Sequence, residues 1–505
     1  MYHTAYALVY ARVIGCIIID MHKHRNKRRK RIQLAFVYTL MAIAVLSIVA
    51  ILVLVVQGYR YNRFDGKIEQ GGLVQFDSRP AGATVTVDDI TLANRTASKV
   101  TLSAGRHTIT MTRDGYSSWK KDALVRAGGI LWLNYSLLFP NNPKISTAAT
   151  YANVASAIAS PDHKFMAVVP KNDAPVIALT ALDTETPTTS SLTIPATSFT
   201  APPEGAAQSF VVQSWSKDSR LLLVTHIYGD KTEYISFDTQ SSKAHNISVE
   251  LGLDITKVAY SLGDSNILYA LTSARELRRL NLSSQTVSGP LVSNVGDFAV
   301  SEERLVTYET LADASGARTV GYVSSGSSKA KTLATDKSLV DKALAVATGN
   351  YYGEHYTVIL RNNTVTISKG SLPASDSDAA IDLKEVTTLT LNEPGNYVGF
   401  SPELNRMVYV ASGSRIVTYD LELKASSTVT LQEALTRDVE WLDPYHIVAT
   451  GQNSYYYDYD GTNGQLFASN TLNQPAVLSP NEKYIYYFAK TESTSVLRRV
   501  KLTTD

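Results

Sequence analysis

At 505 residues the chain is long enough for two or more domains, each with its own hydrophobic core. Apolar residues make up 44% of it and charged residues only 19%, which excludes a disordered protein. The 29 tyrosines, together with many Ser, Thr and Asn residues, favour strands and turns. Cys16 is the single cysteine, so a secreted scaffold held by intramolecular disulfides is also excluded.

The net charge of +2 hides an asymmetry along the chain. Residues 1–31 carry eight Lys or Arg and one acid, Asp20, whereas residues 57–505 have a net charge of −5. Nucleic-acid binding requires a basic face against the phosphates. We therefore predict that the large C-terminal part has no nucleic-acid partner.

Residues 32–56 form a run of 25 residues without charge, Pro or Gly. As a helix this run is about 37 Å long, against a hydrocarbon core of about 30 Å. A buried core helix would show a polar stripe, which is absent here. The run predicts a single transmembrane helix, and so a membrane as one partner.

Seven basic residues precede this helix and predict its orientation. By the positive-inside rule they place residues 1–31 in the cytoplasm and residues 57–505 outside. Since Gln57, Gly58 and Tyr59 offer no cleavage site, we interpret the helix as an uncleaved signal anchor of the cell membrane. The topology-determining residues are Lys23, Arg25, Lys27, Arg28, Arg29, Lys30 and Arg31.

Residues 1–20 do not fit this tail, because the apolar run Leu8 to Ile19 is too short to span a bilayer and contains Arg12. We expect translation to start at Met21.

After a polar spacer at residues 57–70, residues 71–140 alternate apolar and polar positions as half-buried strands do. Their sequence resembles the PEGA domain, a surface-exposed β module common in bacterial envelope proteins. Ser78 to Asp89 (SRPAGATVTVDD) resembles its signature, Leu102 to Met111 its following strand, and Asp114-Gly115-Tyr116 its Gly-Tyr turn. The signature residues are Pro80, Gly82, Ala83, Val85, Val87, Gly105, Gly115 and Tyr116.

The resemblance implies a small β-sandwich without catalytic residues. One departure is the stretch Asn94 to Ala97, where the family has Gly and then Thr-Pro, so this hairpin is expected to differ. We interpret the signature residues as turn formers and core residues.

Residues 144–505 contain a weak internal repeat, in which a small-residue turn leads into an apolar strand. The turns begin at Ser160, Ser216, Ser261, Ser301, Ser401, Asp443 and Ser479, with a degenerate copy at Thr348 to Leu360. The pattern resembles the S-P-D-G-K repeat of WD40-like and TolB-like β-propellers. It implies a propeller of about 45 residues per blade, with eight blades favoured and seven possible. Because the last repeat lacks a strand, we predict that Lys144 to Ala149 supplies it and closes the ring.

No catalytic motif, zinc spacing or P-loop occurs in the sequence, and it predicts no enzyme and no cofactor. His355 is an isolated histidine, which is more often structural than catalytic. The best metal candidate is the turn DYDGTNG, in which Asp458, Asp460 and Asn463 offer oxygens for Ca²⁺. Its spacing misses the EF-hand pattern and suits a hairpin turn better, so we predict no metal site.

Three functions remain open. The sequence favours an extracellular binding or scaffold protein of the cell envelope, whose ligand is a protein or a polysaccharide. The alternative is a propeller enzyme acting on envelope or extracellular glycans, for which three or more acids in the channel mouth would argue. A sensor with a cytoplasmic partner is disfavoured, because a tail of about 31 residues is too short for a signalling domain.

Overall fold

The computed structural model describes residues 31–56, 59–62, 67–432 and 439–504. In this part of the chain one helix, α1 (Arg31–Val56), is long and apolar enough to cross a membrane, and all of its residues are exposed. Arg31 is its first residue. The other six predicted topology-determining residues lie outside the described residues, as do residues 1–20.

The chain divides into two compact units. The first holds the described residues up to Met111 together with Lys121–Ser136. The second holds Thr112–Lys120 and the described residues from Leu137 onward. The boundary therefore cuts through the region that the sequence assigns to the small β domain, because the segment Thr112–Lys120 groups with the C-terminal unit.

An antiparallel hairpin lies where the sequence suggests a polar spacer. Its strands are β1 (Tyr59–Asn62) and β2 (Lys67–Gln70). Tyr59 is the partner of Gln70, so the chain returns to the level at which the hairpin begins.

Residues 72–137 form two sheets. Residues alternate between buried and half-buried along β3, as the period-two pattern predicts. Buried residues include Val74, Phe76 and Ile109. One sheet has the order β6-β3-β9 and the other β5-β4-β7-β8. The strands are β3 (Gly72–Arg79), β4 (Thr84–Val87), β5 (Ile90–Thr91), β6 (Ser98–Leu102), β7 (Gly105–Thr112), β8 (Trp119–Val125) and β9 (Ile130–Leu137).

The rest of the described chain is a series of four-stranded antiparallel sheets, and all but the last are built from consecutive strands. The described residues hold eight of them. Sheet 1 comprises β11 (Ser156–Ala159), β12 (Phe165–Val169), β13 (Val176–Ala181) and β14 (Thr189–Thr193). Sheet 2 comprises β15 (Gln208–Trp215), β16 (Leu221–Tyr228), β17 (Lys231–Asp238) and β18 (Ala244–Asn246). Sheet 3 comprises β19 (Ile255–Tyr260), β20 (Ile267–Thr272), β21 (Leu277–Asn281) and β22 (Thr286–Val287). Two short helical turns interrupt them: a 3-10 turn at Ala196–Ser198 and α2 (Ile247–Glu250).

Sheets 4 to 7 follow in the same way. Sheet 4 comprises β23 (Val295–Val300), β24 (Leu305–Thr310), β25 (Arg318–Ser324) and β26 (Ala330–Asp336), and sheet 5 comprises β27 (Leu344–Tyr351), β28 (Glu354–Arg361), β29 (Thr364–Ser371) and β30 (Asp382–Thr390). Sheet 6 comprises β31 (Tyr397–Phe400), β32 (Met407–Ser412), β33 (Arg415–Asp420) and β34 (Ala425–Thr430). Sheet 7 comprises β35 (Glu440–Asp443), β36 (His446–Ala449), β37 (Asn453–Asp458) and β38 (Gln465–Ser469).

Sheet 8 combines the two ends of the second unit. Its C-terminal strands are β39 (Val477–Leu478), β40 (Tyr484–Lys490) and β41 (Ser495–Lys501). Its fourth strand is β10 (Ile145–Tyr151), which pairs antiparallel with β41. The prediction that a strand at Lys144 to Ala149 completes the final sheet is confirmed.

Hydrophobic clusters join each sheet to the next. Ile177 of sheet 1 packs in one cluster with Phe237 of sheet 2, and Val408 of sheet 6 packs with Val358 of sheet 5. A further cluster contains Phe488 of sheet 8 and Met166 of sheet 1, which joins the last sheet to the first. Consecutive four-stranded sheets with shared cores and a mixed closing sheet form a β-propeller, as the repeat predicts.

The repeat signals the fold because three of its turns share the same hydrogen bonds. The hydroxyl of Ser216 donates to Asp218 Oδ1, 2.5 Å away, and accepts from the amide of Leu221 at 2.8 Å. Ser160 and Ser479 make equivalent contacts, and all three serines are buried. The serine therefore fixes the turn and the first amide of the second strand.

Candidate functional site

The PEGA-like signature residues lie in turns and in the core of their sheets. Gly82 has a φ of +86°, which favours glycine, and Val85 and Val87 are buried on β4. Thr96, in the stretch that departs from the family, is buried and ties this turn together. Its hydroxyl accepts from the amide of Ala83 at 2.8 Å and its carbonyl accepts from the amide of Gly82 at 2.8 Å.

The later signature residues either have a positive φ or are buried. Gly105 and Gly115 have φ values of +141° and +83°. Tyr116 is buried, and its hydroxyl accepts a hydrogen bond from the amide of Thr504, 2.7 Å away. Pro80 is half-buried in the turn before Gly82.

Hydrogen-bond donors surround the oxygens of the calcium candidate. Asp458 Oδ2 accepts from Trp119 Nε1 and from Asn463 Nδ2, each at 2.9 Å. Asp460 Oδ1 accepts from the Thr462 hydroxyl at 2.6 Å, and Asn463 Oδ1 accepts from the amide of Lys120 at 2.9 Å. Among the residues that the structure describes, no group of three His, Cys, Asp or Glu side chains is placed to hold a metal ion. This geometry is that of a hydrogen-bonded turn.

Asp458 also belongs to a buried charge cluster. His446 is fully buried, with Nδ1 2.8 Å from both oxygens of Asp443 and Nε2 3.4 Å from Asp458 Oδ1. Burial by itself would lower the pKa of His446, but the two carboxylates raise that pKa to about 9. A buried imidazolium between two carboxylates holds β36 and β37 together, and we interpret it as structural.

His355 lies beside Glu302, and the aromatic residues of β40 pack in the core. His355 Nδ1 is 3.4 Å from Glu302 Oε2, and the side chain is partly exposed. The aromatic residues of β40 are all buried, because β40 is an inner strand with packed cores on both faces.

A cavity of about 430 Å³ lies where the first strands of sheets 3 to 6 meet. The first strand of each blade lines the central channel of a propeller. The lining residues come mainly from β19, β23, β27 and β31, with others from β24 and β32. The volume falls in the range of small-molecule sites.

The polar side of this cavity begins with an ion pair. Lys257 Nζ is 2.6 Å from Asp297 Oδ1 and donates to the carbonyl of Phe298 at 2.9 Å. The same ammonium lies 5.2 Å from the centre of the Phe298 ring. Both charged side chains are about half exposed, so they are open to a ligand.

Glu309 is the second carboxylate of the cavity. It is the strand partner of Asp297, so the two side chains lie on the same face of sheet 4. Burial raises the pKa of Glu309, an effect that the guanidinium of Arg318 opposes and Asp297 increases. A Cβ atom on Gly296 would lie 2.7 Å from Glu309 Oε1, so this glycine leaves room for the carboxylate.

Aromatic and amide groups complete the lining. Tyr397, at the start of β31, is 41% exposed, and Asn396 precedes it. Tyr409 lines the wall beside them, with its hydroxyl over Gly399, where a Cβ atom would be 2.6 Å away. The cavity therefore combines aromatic faces, hydrogen-bonding groups and charges of both signs.

Sequence reasoning missed all of these residues. The one signal in the sequence is a charged residue inside an otherwise apolar strand, Asp297 in VGDFAV. Two acids line the described cavity, fewer than the three set as the sign of a glycan-cleaving enzyme.

Residues 72–138 match the PEGA domain family. This agrees with the resemblance carried by Ser78 to Asp89, and the matched range ends one residue after β9. No curated protein sequence is similar to the chain.

Solved structures similar to this chain include several β-propellers. The C-terminal WD40 domain of Sif2 has a TM-score of 0.45 at 11% identity, covering 71% of this chain and 99% of that one. The β-propeller domain of Myceliophteria thermophila Cps50 (Swd1) has a TM-score of 0.38 at 10% identity, covering 70% and 99%. An oligogalacturonate lyase in complex with manganese has a TM-score of 0.37 at 11% identity, covering 60% and 96%. At these TM-scores, the propeller assignment rests on the order of the strands.

Proposed function

We propose that this chain is a membrane-anchored binding protein of the cell envelope, and that the cavity of sheets 3 to 6 takes a segment of a polysaccharide. The observation that carries the proposal is the combination, in one cavity, of the exposed Tyr397 ring with the Asp297–Lys257 pair. An aromatic face packs on the C–H face of a sugar ring, while carboxylate, ammonium and amide groups bond its hydroxyls.

The helix α1, as a membrane anchor, supports the proposed location in the cell envelope. α1 is long enough to span, and the basic residues that precede it favour a cytoplasmic N-terminal side. The PEGA domain and the propeller then lie on the outer side of the cell membrane, where envelope polymers are present.

A direct binding measurement tests the proposal. Purified full-length chain in detergent is titrated calorimetrically with soluble fragments of envelope polysaccharides and, separately, with envelope proteins. Saturable binding of a polysaccharide fragment that is weakened about tenfold in a Tyr397→Ala variant supports the proposal. Binding of a protein alone, unaffected by that substitution, would contradict it.

A glycan-cleaving enzyme is the second candidate, because Asp297 and Glu309 face each other across one ladder. Two carboxylates on one face, one with a raised pKa, meet the basic requirement of glycoside hydrolysis. Arg318 forms an ion pair with Glu309, which disfavours the protonated state that a general acid needs. Release of reducing ends from a bound polysaccharide would favour this candidate over binding alone.

A further inference from the structure

The turn between β8 and β9 is tied to the part of the chain that leaves the membrane helix. α1 ends at Val56, and Tyr59 is three residues further on, so the two Cα atoms are at most about 11 Å apart. Tyr59 is the antiparallel partner of Gln70, which adds about 5 Å. Gln70 therefore lies within about 16 Å of the end of α1.

Backbone hydrogen bonds hold the turn against Gln70 and the residues that follow it. The amide of Gly128 donates to the carbonyl of Gly71, and the amide of Leu73 donates to the carbonyl of Gly129, both at 2.9 Å. Gly128 has a φ of +67°, and a Cβ atom there would lie 2.6 Å from Gln70 Nε2. The turn therefore stays close to the point at which the chain leaves the bilayer.

The side chains of this turn are those that membrane interfaces favour. Arg126 is exposed, and Ile130 is 53% exposed although it is aliphatic. Trp132 is half-buried and lies on the same face of β9 as Ile130, two residues along. Tryptophan and arginine are typical of the headgroup region, because one end of each side chain is apolar and the other forms hydrogen bonds.

We propose that residues 126–132 form a second membrane contact, in which Ile130 and Trp132 enter the headgroup region of the bilayer that α1 spans. Arg126 pairs there with lipid phosphate groups. The contact holds the PEGA domain against the membrane surface instead of leaving it free on the hairpin. This inference rests on the membrane anchoring in the proposed function.

Depth-dependent fluorescence quenching tests the contact in the full-length chain. Cys16 is the single cysteine, so in a Cys16→Ser background an Ile130→Cys substitution gives one site for an environment-sensitive fluorophore. Asn134→Cys is the matched control, since Asn134 is exposed on the same face of β9, about 13 Å further along. Both proteins are reconstituted into phosphatidylcholine–phosphatidylglycerol vesicles with spin-labelled lipids.

We expect blue-shifted emission at position 130 and quenching at least about twofold stronger than at position 134. Arg126→Glu should reduce the quenching at position 130. Equal quenching at the two positions, or none at position 130, overturns the proposal. Flotation with the vesicles tests the anchor separately: a protein that floats without quenching refutes the second contact alone, and one that does not float refutes the anchor as well.

Discussion

The indole Nε1 of Trp119 donates a hydrogen bond to Asp458 Oδ2, 2.9 Å away, although 339 residues separate them in sequence. Both side chains are almost fully buried. Trp119 opens β8, but it belongs to the segment Thr112–Lys120, which groups with the second compact unit. The amide of Lys120 donates to Asn463 in the same turn, so this segment supplies two donors to the β37–β38 connection.

Replacing Trp119 with Phe should destabilise the second unit. The substitution removes a donor to a buried carboxylate and leaves a small cavity, and we expect a loss of about 2–4 kcal/mol in the free energy of unfolding. Trp215→Phe is the control, because Trp215 Nε1 makes only a 3.4 Å contact with the neutral carbonyl of Ile158. Urea denaturation followed by circular dichroism measures both. Equal losses for the two variants would mean that the bond to Asp458 adds nothing.

His446 should remain protonated well above neutral pH. Its pKa is raised to about 9 in the folded chain, against 6.5 for an ordinary histidine. The stabilisation is therefore complete below about pH 6.5 and is lost as the pH rises through about 9. Histidine-selective NMR should show one imidazole that titrates near pH 9.

A variant that leaves the buried His446 cluster intact is the control for this titration. His163→Gln removes a histidine from a surface turn and should leave the high-pH titration unchanged. If every imidazole signal titrates near pH 6.5, the charge assigned to the His446 cluster is wrong.

The closing strand should contribute more to stability than an equivalent outer strand. Ser146 and Thr147 pair with Arg499 and Arg498, and of two adjacent residues in an edge strand one directs its amide to the partner. Ser146→Pro with Thr147→Pro therefore removes at least one ladder bond, and it opens the contact between the two ends of the unit. We expect the melting temperature to fall by several degrees.

The matched control places two prolines at Ser190 and Ser191 in β14, the outer strand of sheet 1. That strand is internal to the chain, so its loss leaves the first and last strands paired. A ring closed by β10 predicts a larger fall for the pair at positions 146 and 147, measured by differential scanning calorimetry. The same fall in both variants would count against closure as a source of stability and against the eight-bladed ring that the sequence favours.

Local turn chemistry explains why much of the fold could be predicted. At Ser160, Ser216 and Ser479 the serine and the acid or amide two residues later form their hydrogen bonds within six residues, so the signal lies in a short stretch of sequence. The second strands of all eight sheets start in or just after these turns. The hairpin β1–β2 is not predicted, because its polar residues make residues 57–70 resemble a spacer.

The cavity could not be predicted for a different physical reason. Lys257, Asp297 and Tyr397 lie on three sheets, and their meeting depends on the strand register and on how neighbouring sheets pack. Neither is encoded in a short motif. Thr96 shows the same limit on a smaller scale: the sequence marks it as a departure from the family, but not as the residue that ties the Gly82 turn.

Tyr397 should be the side chain on which ligand affinity depends most. It is exposed in the cavity, and it can stack on a sugar ring without a conformational change. Tyr397→Ala should weaken the binding of a polysaccharide fragment by about tenfold, which corresponds to about 1.4 kcal/mol. Tyr352→Ala is the control, since Tyr352 is 85% exposed and does not line the cavity.

Glu309→Gln separates the two candidate functions. A binding protein with this substitution keeps most of its affinity for the polysaccharide fragment and shows no turnover to lose, whereas a glycan-cleaving enzyme still binds the fragment but no longer releases reducing ends. Calorimetry and a reducing-end assay on the same three variants give both readings, and equal affinities for Tyr397→Ala and Tyr352→Ala would move the ligand site away from this cavity.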